Sequence, residues 1–170
     1  FVDNFALRGC AGGELSSIPA ETLRGFQALL AYDLVVLHFG INVQHPRPED
    51  YRLYERSLRR TLRHLAESLP GVPLVMVSAP DRGFRTEAGM SSPPHLPYVL
   101  EAQRAAAAEA GAAYYNLFGA MGGTGSMVRW AEAKPPLAWK DYTHFNDRGS
   151  REVATMFETF LTGEAPRRAP

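Results

Sequence analysis

At 170 residues, with 45% hydrophobic and 21% charged residues, the chain has the size and apolar content of one soluble globular domain, able to bury roughly two-thirds of its unfolded surface. Its 18 basic and 18 acidic residues cancel to a formal net charge of zero, so the balance offers nothing to a nucleic acid or an anionic membrane as partner. Cys10 is the single cysteine, which excludes an internal disulfide; no run of about 18 apolar residues exists to span a bilayer, and no Cys/His spacing suits zinc.

The chain starts on Phe1 rather than Met, as a trimmed or processed chain would, and FVDNFALRGC lacks the basic start and long apolar run of a signal peptide. Val2 to Leu7 reads as a short strand that runs into the Gly-rich turn Arg8 to Leu15, RGCAGGEL. Glycines at a strand exit allow positive φ and bring an N–H close to a ligand, although an ordinary tight turn is the plainer reading of Gly9 and Gly12. Pro19 to Ala31 is expected to be a helix, with Leu23, Phe26, Leu29 and Leu30 on one face.

Asp33 to Phe39, DLVVLHF, is the near-continuous apolar run of a strand buried in a parallel sheet. It leads to Gly40, Ile41 and Asn42. An Asn at a strand's carboxyl end is placed to donate its amide to a developing oxyanion, or simply to make a turn. Of the flanking histidines His38 and His45, His38 alternates with apolar residues and is expected to pack within the strand.

Pro48 to Leu69 is the longest predicted helix, with Tyr51, Tyr54, Leu58, Leu62 and Leu65 inward and Arg56, Arg59, Arg60 and Arg63 as a solvated basic face. Pro70 and Gly71 stop it, Val72 to Ser78 is a second buried strand, and Ala79 to Pro97 is a long loop. Asp81, Arg82 and Arg85 stand near the start of that loop, as substrate contacts or as surface charges without a fixed partner. Tyr98 to Ala110 is an Ala-rich helix, and Ala112 to Leu117 a third strand. MGGTGSMVRW, from Met121, is not a phosphate cradle, since it lacks the closing Lys and Ser or Thr. Trp130 and Trp139 fit a core or the wall of a sugar site.

Lys140 to Gly149, KDYTHFNDRG, places Asp141 and His144 three residues apart before an amphipathic helix carrying Val153, Met156, Phe157, Phe160 and Leu161. A carboxylate that takes the Nδ1 proton of an imidazole fixes its tautomer and leaves Nε2 to accept a proton from a nucleophile. Helix capping or solvation is the plainer role for such residues, and Asn146 is a ready N-cap. A domain is expected over residues 1–163 with a disordered tail at 164–170.

Strands alternating with helices predict a three-layer α/β/α domain with a mainly parallel sheet. With Gly12, Asn42, Asp141 and His144 gathered at strand ends, the chain resembles the SGNH (GDSL-type) hydrolases. RGCAGGEL is similar to the block that supplies a Gly N–H to the oxyanion hole, HFGIN to the block that supplies an Asn amide, and DYTH to the block of orienting Asp and catalytic His. By that resemblance Gly12 and Asn42 are the oxyanion donors, Asp141 the orienter and His144 the base. MGGTGSMVRW followed by PPLAWKDYTHFN resembles the branch of O-acetylesterases that act on peptidoglycan and other cell-wall or secreted glycans. It implies an acetylated glycan substrate, no cofactor and no metal, and a periplasmic or extracellular location.

The chain departs from the family pattern at two points. Val43 stands where an Asp usually follows the Asn, and no Gly-Asp-Ser block precedes RGCAGGEL. Ser16 and Ser17 follow the glycine block, and Ser126 does not fit a Gly-x-Ser-x-Gly elbow. The nucleophile and the first strand, central in the family's sheet, are therefore expected on an upstream segment or companion chain, leaving inner strand edges open without it. Acetyl transfer to a glycan acceptor, a non-catalytic glycan-binding or assembly module, and a flavodoxin-like nucleotide-binding domain are the competing readings.

Overall fold

The computed structural model describes residues 1–6, 8–43, 51–87 and 89–164. The expectations for His45 and for the tail after Glu164 lie outside these residues, as do Leu7 and residues 48–50. Three short parallel strands, β1 (Val35–His38), β2 (Leu74–Val77) and β5 (Ala113–Tyr115), form the main sheet in the order β1-β2-β5. All four residues of β2 are buried, as the central strand of a parallel sheet covered on both faces requires.

Alternation along β2 divides the core in two. Leu74 and Met76 join Leu37 under α1 (Ala20–Leu30), α2 (Tyr51–Ser68) and α3 (Leu96–Glu109). Val75, Val77 and Tyr115 face α4 (Leu117–Ala120), α5 (Ser126–Glu132) and α6 (Asp147–Thr162) on the opposite side. The result is the expected three layers. The inward side chains of α2 are the predicted ones, Tyr51, Tyr54, Leu58, Leu62 and Leu65, joined by Thr61 and Ser68. On the outer face, Arg59 pairs with Glu55 and Glu109, and Arg63 with Glu109 at 3.5 Å, so part of the basic cluster ties α2 to α3.

Three local expectations are corrected. Residues 1–6 form no strand: Phe5 packs edge-on against Phe26, with ring centroids 5.6 Å apart, and Phe1 lies against Tyr32. The segment joins no ladder among the described residues, and its aromatic rings settle on Phe26 of α1 and on Tyr32 just beyond that helix. The stretch after Gly12 is a 3-10 helix, Gly13–Ser17. The loop from Ala79 holds an antiparallel hairpin, β3 (Phe84–Thr86) with β4 (Gly89–Ser91), and α3 begins at Leu96.

β1 pairs with β2 along one edge only, and its other edge carries no ladder among the described residues. Val36 is 44% exposed and His38 is exposed as well, on the face that Val75 and Val77 share. His38 is thus not packed as expected, because α5 and α6 cover β2 and β5 but leave that side of β1 open.

Candidate active site

The Asp141–His144 turn is built by main-chain bonds before any side chain acts. Trp139 N–H donates to the His144 carbonyl at 2.9 Å, Tyr142 N–H to the Trp139 carbonyl at 3.0 Å, and Asn146 N–H to the Leu137 carbonyl at 3.2 Å. Tyr142 adopts the left-handed conformation, φ 54°, which bends the chain back so that residue 141 meets residue 144. Beyond the turn, Asn146 caps α6 by accepting from the N–H groups of Arg148 and Gly149, both at 3.0 Å. Gly149 is obligatory: a Cβ there would stand 1.9 Å from the Leu137 carbonyl oxygen.

Within this frame Asp141 Oδ2 lies 2.7 Å from His144 Nδ1, and Oδ1 accepts the N–H groups of Thr143 at 2.9 Å and His144 at 3.0 Å. Desolvation pushes the Asp141 carboxyl up, but the bonds from the His144 ring and from the two N–H groups outweigh it and hold the pKa below the ordinary value. An ionised carboxylate only accepts, so Nδ1 carries the proton and a neutral His144 ring presents Nε2 as a base. The expected pairing is present, and the side chain of His144 is largely exposed.

His144 lines a cavity of about 260 Å³ together with His38, Phe39, Ile41, Pro80, Thr143 and Phe145. The cavity joins the carboxyl end of β1 to the histidine turn, at the margin where open α/β sheets hold ligands. Asn42 is the next residue after Ile41, exposed, in a turn closed by Val43 N–H donating to the Gly40 carbonyl at 3.0 Å. Gly40 has φ +112°, and a Cβ there would meet Gln103 Nε2 at 2.7 Å. The buried Gln103 binds both strand exits, donating to the Phe39 carbonyl and accepting from Ala79 N–H, each at 2.9 Å.

The Asn42 amide points to the glycine block, with Nδ2 3.5 Å from the Cys10 carbonyl oxygen. Gly12 has φ +98°, and a Cβ there would touch the Phe39 ring at 3.0 Å. Its N–H is engaged, however: it donates to Glu14 Oε2 at 2.9 Å, and Ala11 N–H donates to the same oxygen at 3.2 Å. The two amides form a small anion cradle with an internal carboxylate in it. The Glu14 carboxyl is held below its ordinary pKa first by its own backbone N–H, against desolvation, and then by those of Ala11 and Gly12.

Other candidates fall elsewhere. Asp81 is no surface charge: it is fully buried, and Oδ2 accepts from Met127 N–H at 3.0 Å at the start of α5. Arg82 Nη1 donates to the Ile41 carbonyl at 3.0 Å, while Arg85 is exposed on the hairpin. Trp130 tilts against Phe145, with centroids 5.6 Å apart, and Trp139 is exposed beside the histidine turn. Ser126 is buried and directed at Asp81, and the hydroxyls of Ser16 and Ser17 donate to nearby carbonyls. Among the described residues no serine hydroxyl bonds the His144 ring, and no group of three His, Cys, Asp or Glu is placed to hold a metal. No helix among them is long and apolar enough to cross a membrane.

Glu14 and Gln103 were not among the residues singled out from the sequence, where Glu14 stood only as an acidic residue inside a glycine-rich turn; Arg82 was singled out, but as a substrate contact or a surface charge rather than as a donor to the Ile41 carbonyl.

The GDSL-like lipase/acylhydrolase family matches residues 1–152. A peptidoglycan O-acetylesterase superposes with a TM-score of 0.78 at 27% identity, over 91% of this chain and 44% of its own, so the chain spans less than half that protein's length. A protein from Lactobacillus plantarum superposes with a TM-score of 0.61 at 17% identity over 96% of this chain and 76% of its own. A lipase/acylhydrolase from Enterococcus faecalis does so with a TM-score of 0.53 at 14% identity, over 92% and 75%. At those identities the last two show the fold alone. None of the curated proteins matches the chain at a significant level.

Proposed function

Because the chain belongs to the GDSL-like lipase/acylhydrolase family, we propose that it forms the acid–base and oxyanion-donor part of a serine esterase that removes O-acetyl groups from a glycan. The family and the O-acetylesterase neighbour support an esterase-type hydrolase. The observation that carries the reading is the Asp141–His144 bond on the wall of a cavity at the carboxyl end of β1, a strand whose second edge carries no ladder among the described residues.

In this reading the nucleophilic serine arrives on an upstream segment or companion chain whose strand pairs with the free edge of β1 and ends at the cavity. His144 Nε2 takes the proton from the serine Oγ as Oγ attacks the acetyl carbonyl. The tetrahedral oxyanion is stabilised by the Asn42 amide, the Gly12 N–H and the serine's own N–H. For Gly12 to serve, the Glu14 carboxylate that now rests on its N–H gives way to the oxyanion. His144 returns the proton to the departing sugar hydroxyl, and water attacks the acetyl-enzyme with His144 again as base, releasing acetate. Asp141 holds the ring and stabilises its protonated form.

The 27% identity to a peptidoglycan O-acetylesterase makes acetylated peptidoglycan the first substrate to try, and a periplasmic or extracellular location fits such a substrate. The test is acetate release from O-acetylated peptidoglycan. The 170-residue chain alone is expected to be inactive, and the polypeptide containing both this chain and the serine active, with His144→Ala abolishing turnover. Full activity of the chain alone contradicts the placement of the nucleophile, and activity that survives His144→Ala contradicts the mechanism.

A further inference from the structure

Asp81, Arg82 and Gly83 follow one another a few residues beyond β2, and each bonds a different part of the fold. Asp81 anchors the segment on α5 through Met127 N–H. Arg82 Nη1 donates to the Ile41 carbonyl, one residue before Asn42. Gly83 N–H donates to the Tyr142 carbonyl, between Asp141 and His144. The asparagine turn leaves β1 and the histidine turn enters α6, so no β-ladder fixes their separation. Among the described residues the Asn42 turn is held otherwise by its own internal bond, by Gln103 on the Phe39 carbonyl at its entry and by the long 3.5 Å contact of Nδ2 with Cys10.

We propose that Arg82 is a positioning residue which, together with Gly83, sets the spacing between the Asn42 amide and the His144 ring; this rests on the esterase reading above. The physical need is strict, because an oxyanion donor misplaced by about 1 Å costs on the order of 10²-fold in rate. Arginine suits the task, since its planar guanidinium presents donors in a fixed fork where a lysine offers a mobile point charge. On the other side of the bridge a Cβ at position 83 would lie 2.4 Å from Tyr142 Cβ and 2.7 Å from Met90 Cε. A side chain there therefore displaces the residue whose left-handed conformation closes the histidine turn.

The test uses Arg82→Met and Arg82→Lys in the polypeptide that carries this chain together with its serine. Arg82→Met is expected to lower kcat about 10- to 100-fold with KM changed less than about 2-fold. The acid limb of the pH profile of kcat stays in place, because the Asp141–His144 bond is untouched, and Arg82→Lys recovers part of the rate. In a crystal structure of the Arg82→Met protein, residues 41–43 are displaced relative to residues 141–144. A wild-type kcat, a loss of rate matched by loss of folded protein, or an unmoved turn overturns the proposal. A wild-type protein with no esterase activity removes the functional reading instead, and the positioning claim then stands or falls on the crystallographic displacement.

Discussion

Asp141 Oδ2 accepts the Nδ1 proton of His144 at 2.7 Å, while its second oxygen gathers two main-chain N–H groups of the same turn. The carboxylate thus selects the ring tautomer and shapes the loop that presents it. Asp141→Asn keeps the volume but sets an amide against Nδ1, which favours the wrong tautomer. In the serine-complete enzyme this substitution is expected to lower kcat by about 10³- to 10⁴-fold, measured as acetate release at neutral pH. A loss below tenfold would mean that the pairing is ornamental to turnover.

Asn42 stands exposed one residue beyond Ile41 of the cavity wall, and its amide contacts the Cys10 carbonyl at the long distance of 3.5 Å. Its amide is free to turn toward a developing oxyanion. Asn42→Ala is expected to lower kcat by about 10²- to 10³-fold while KM stays close to wild type, because the bond strengthens only in the transition state. Equal losses in kcat and in substrate affinity would contradict the role.

Acid should weaken the two turns that carry the site. Both Glu14 and Asp141 have folded-state pKa values below their ordinary ones. A carboxyl depressed on folding contributes stability that is present above its unfolded pKa, about 4, and lost as pH falls through the folded value. Melting temperatures of the wild type should therefore drop below about pH 4 more steeply than those of Glu14→Gln or Asp141→Asn. Parallel curves from circular dichroism would refute the assignment.

Gly149→Ala tests the frame under the histidine turn. Its Cβ would stand 1.9 Å from the Leu137 carbonyl oxygen, so α6 and the strand-like pair Ala138–Phe145 must part. Overpacking of this kind costs about 1–3 kcal/mol, or several degrees in Tm for a domain of this size. An unchanged Tm would show that the cap yields without strain.

Much of this arrangement was legible in the sequence, and the remainder has a physical explanation. β1, β2 and the apolar faces of α2 and α6 announce themselves by run length and period, and the Asp141–His144 contact is local enough for a three-residue spacing to encode it. Arg82, Gln103 and Asp81 act across 24 to 64 positions of sequence, where spacing carries no information. Residues 1–6 misled because an apolar run makes a strand only where it joins a ladder, and here its rings pack on Phe26 and Tyr32 instead. His38 misled for the related reason that alternation predicts burial only where both faces of a sheet are covered.

The central claim is that Asp141, His144 and Asn42 serve a serine that lies outside these 170 residues. The most direct measurement is reaction of the serine-complete polypeptide with a serine-reactive fluorophosphonate, followed by peptide mass mapping. One adduct is predicted, on a serine outside Phe1–Pro170, and its formation should vanish in His144→Ala. An adduct on Ser16, Ser17 or Ser126, or labelling indifferent to His144, would contradict the account.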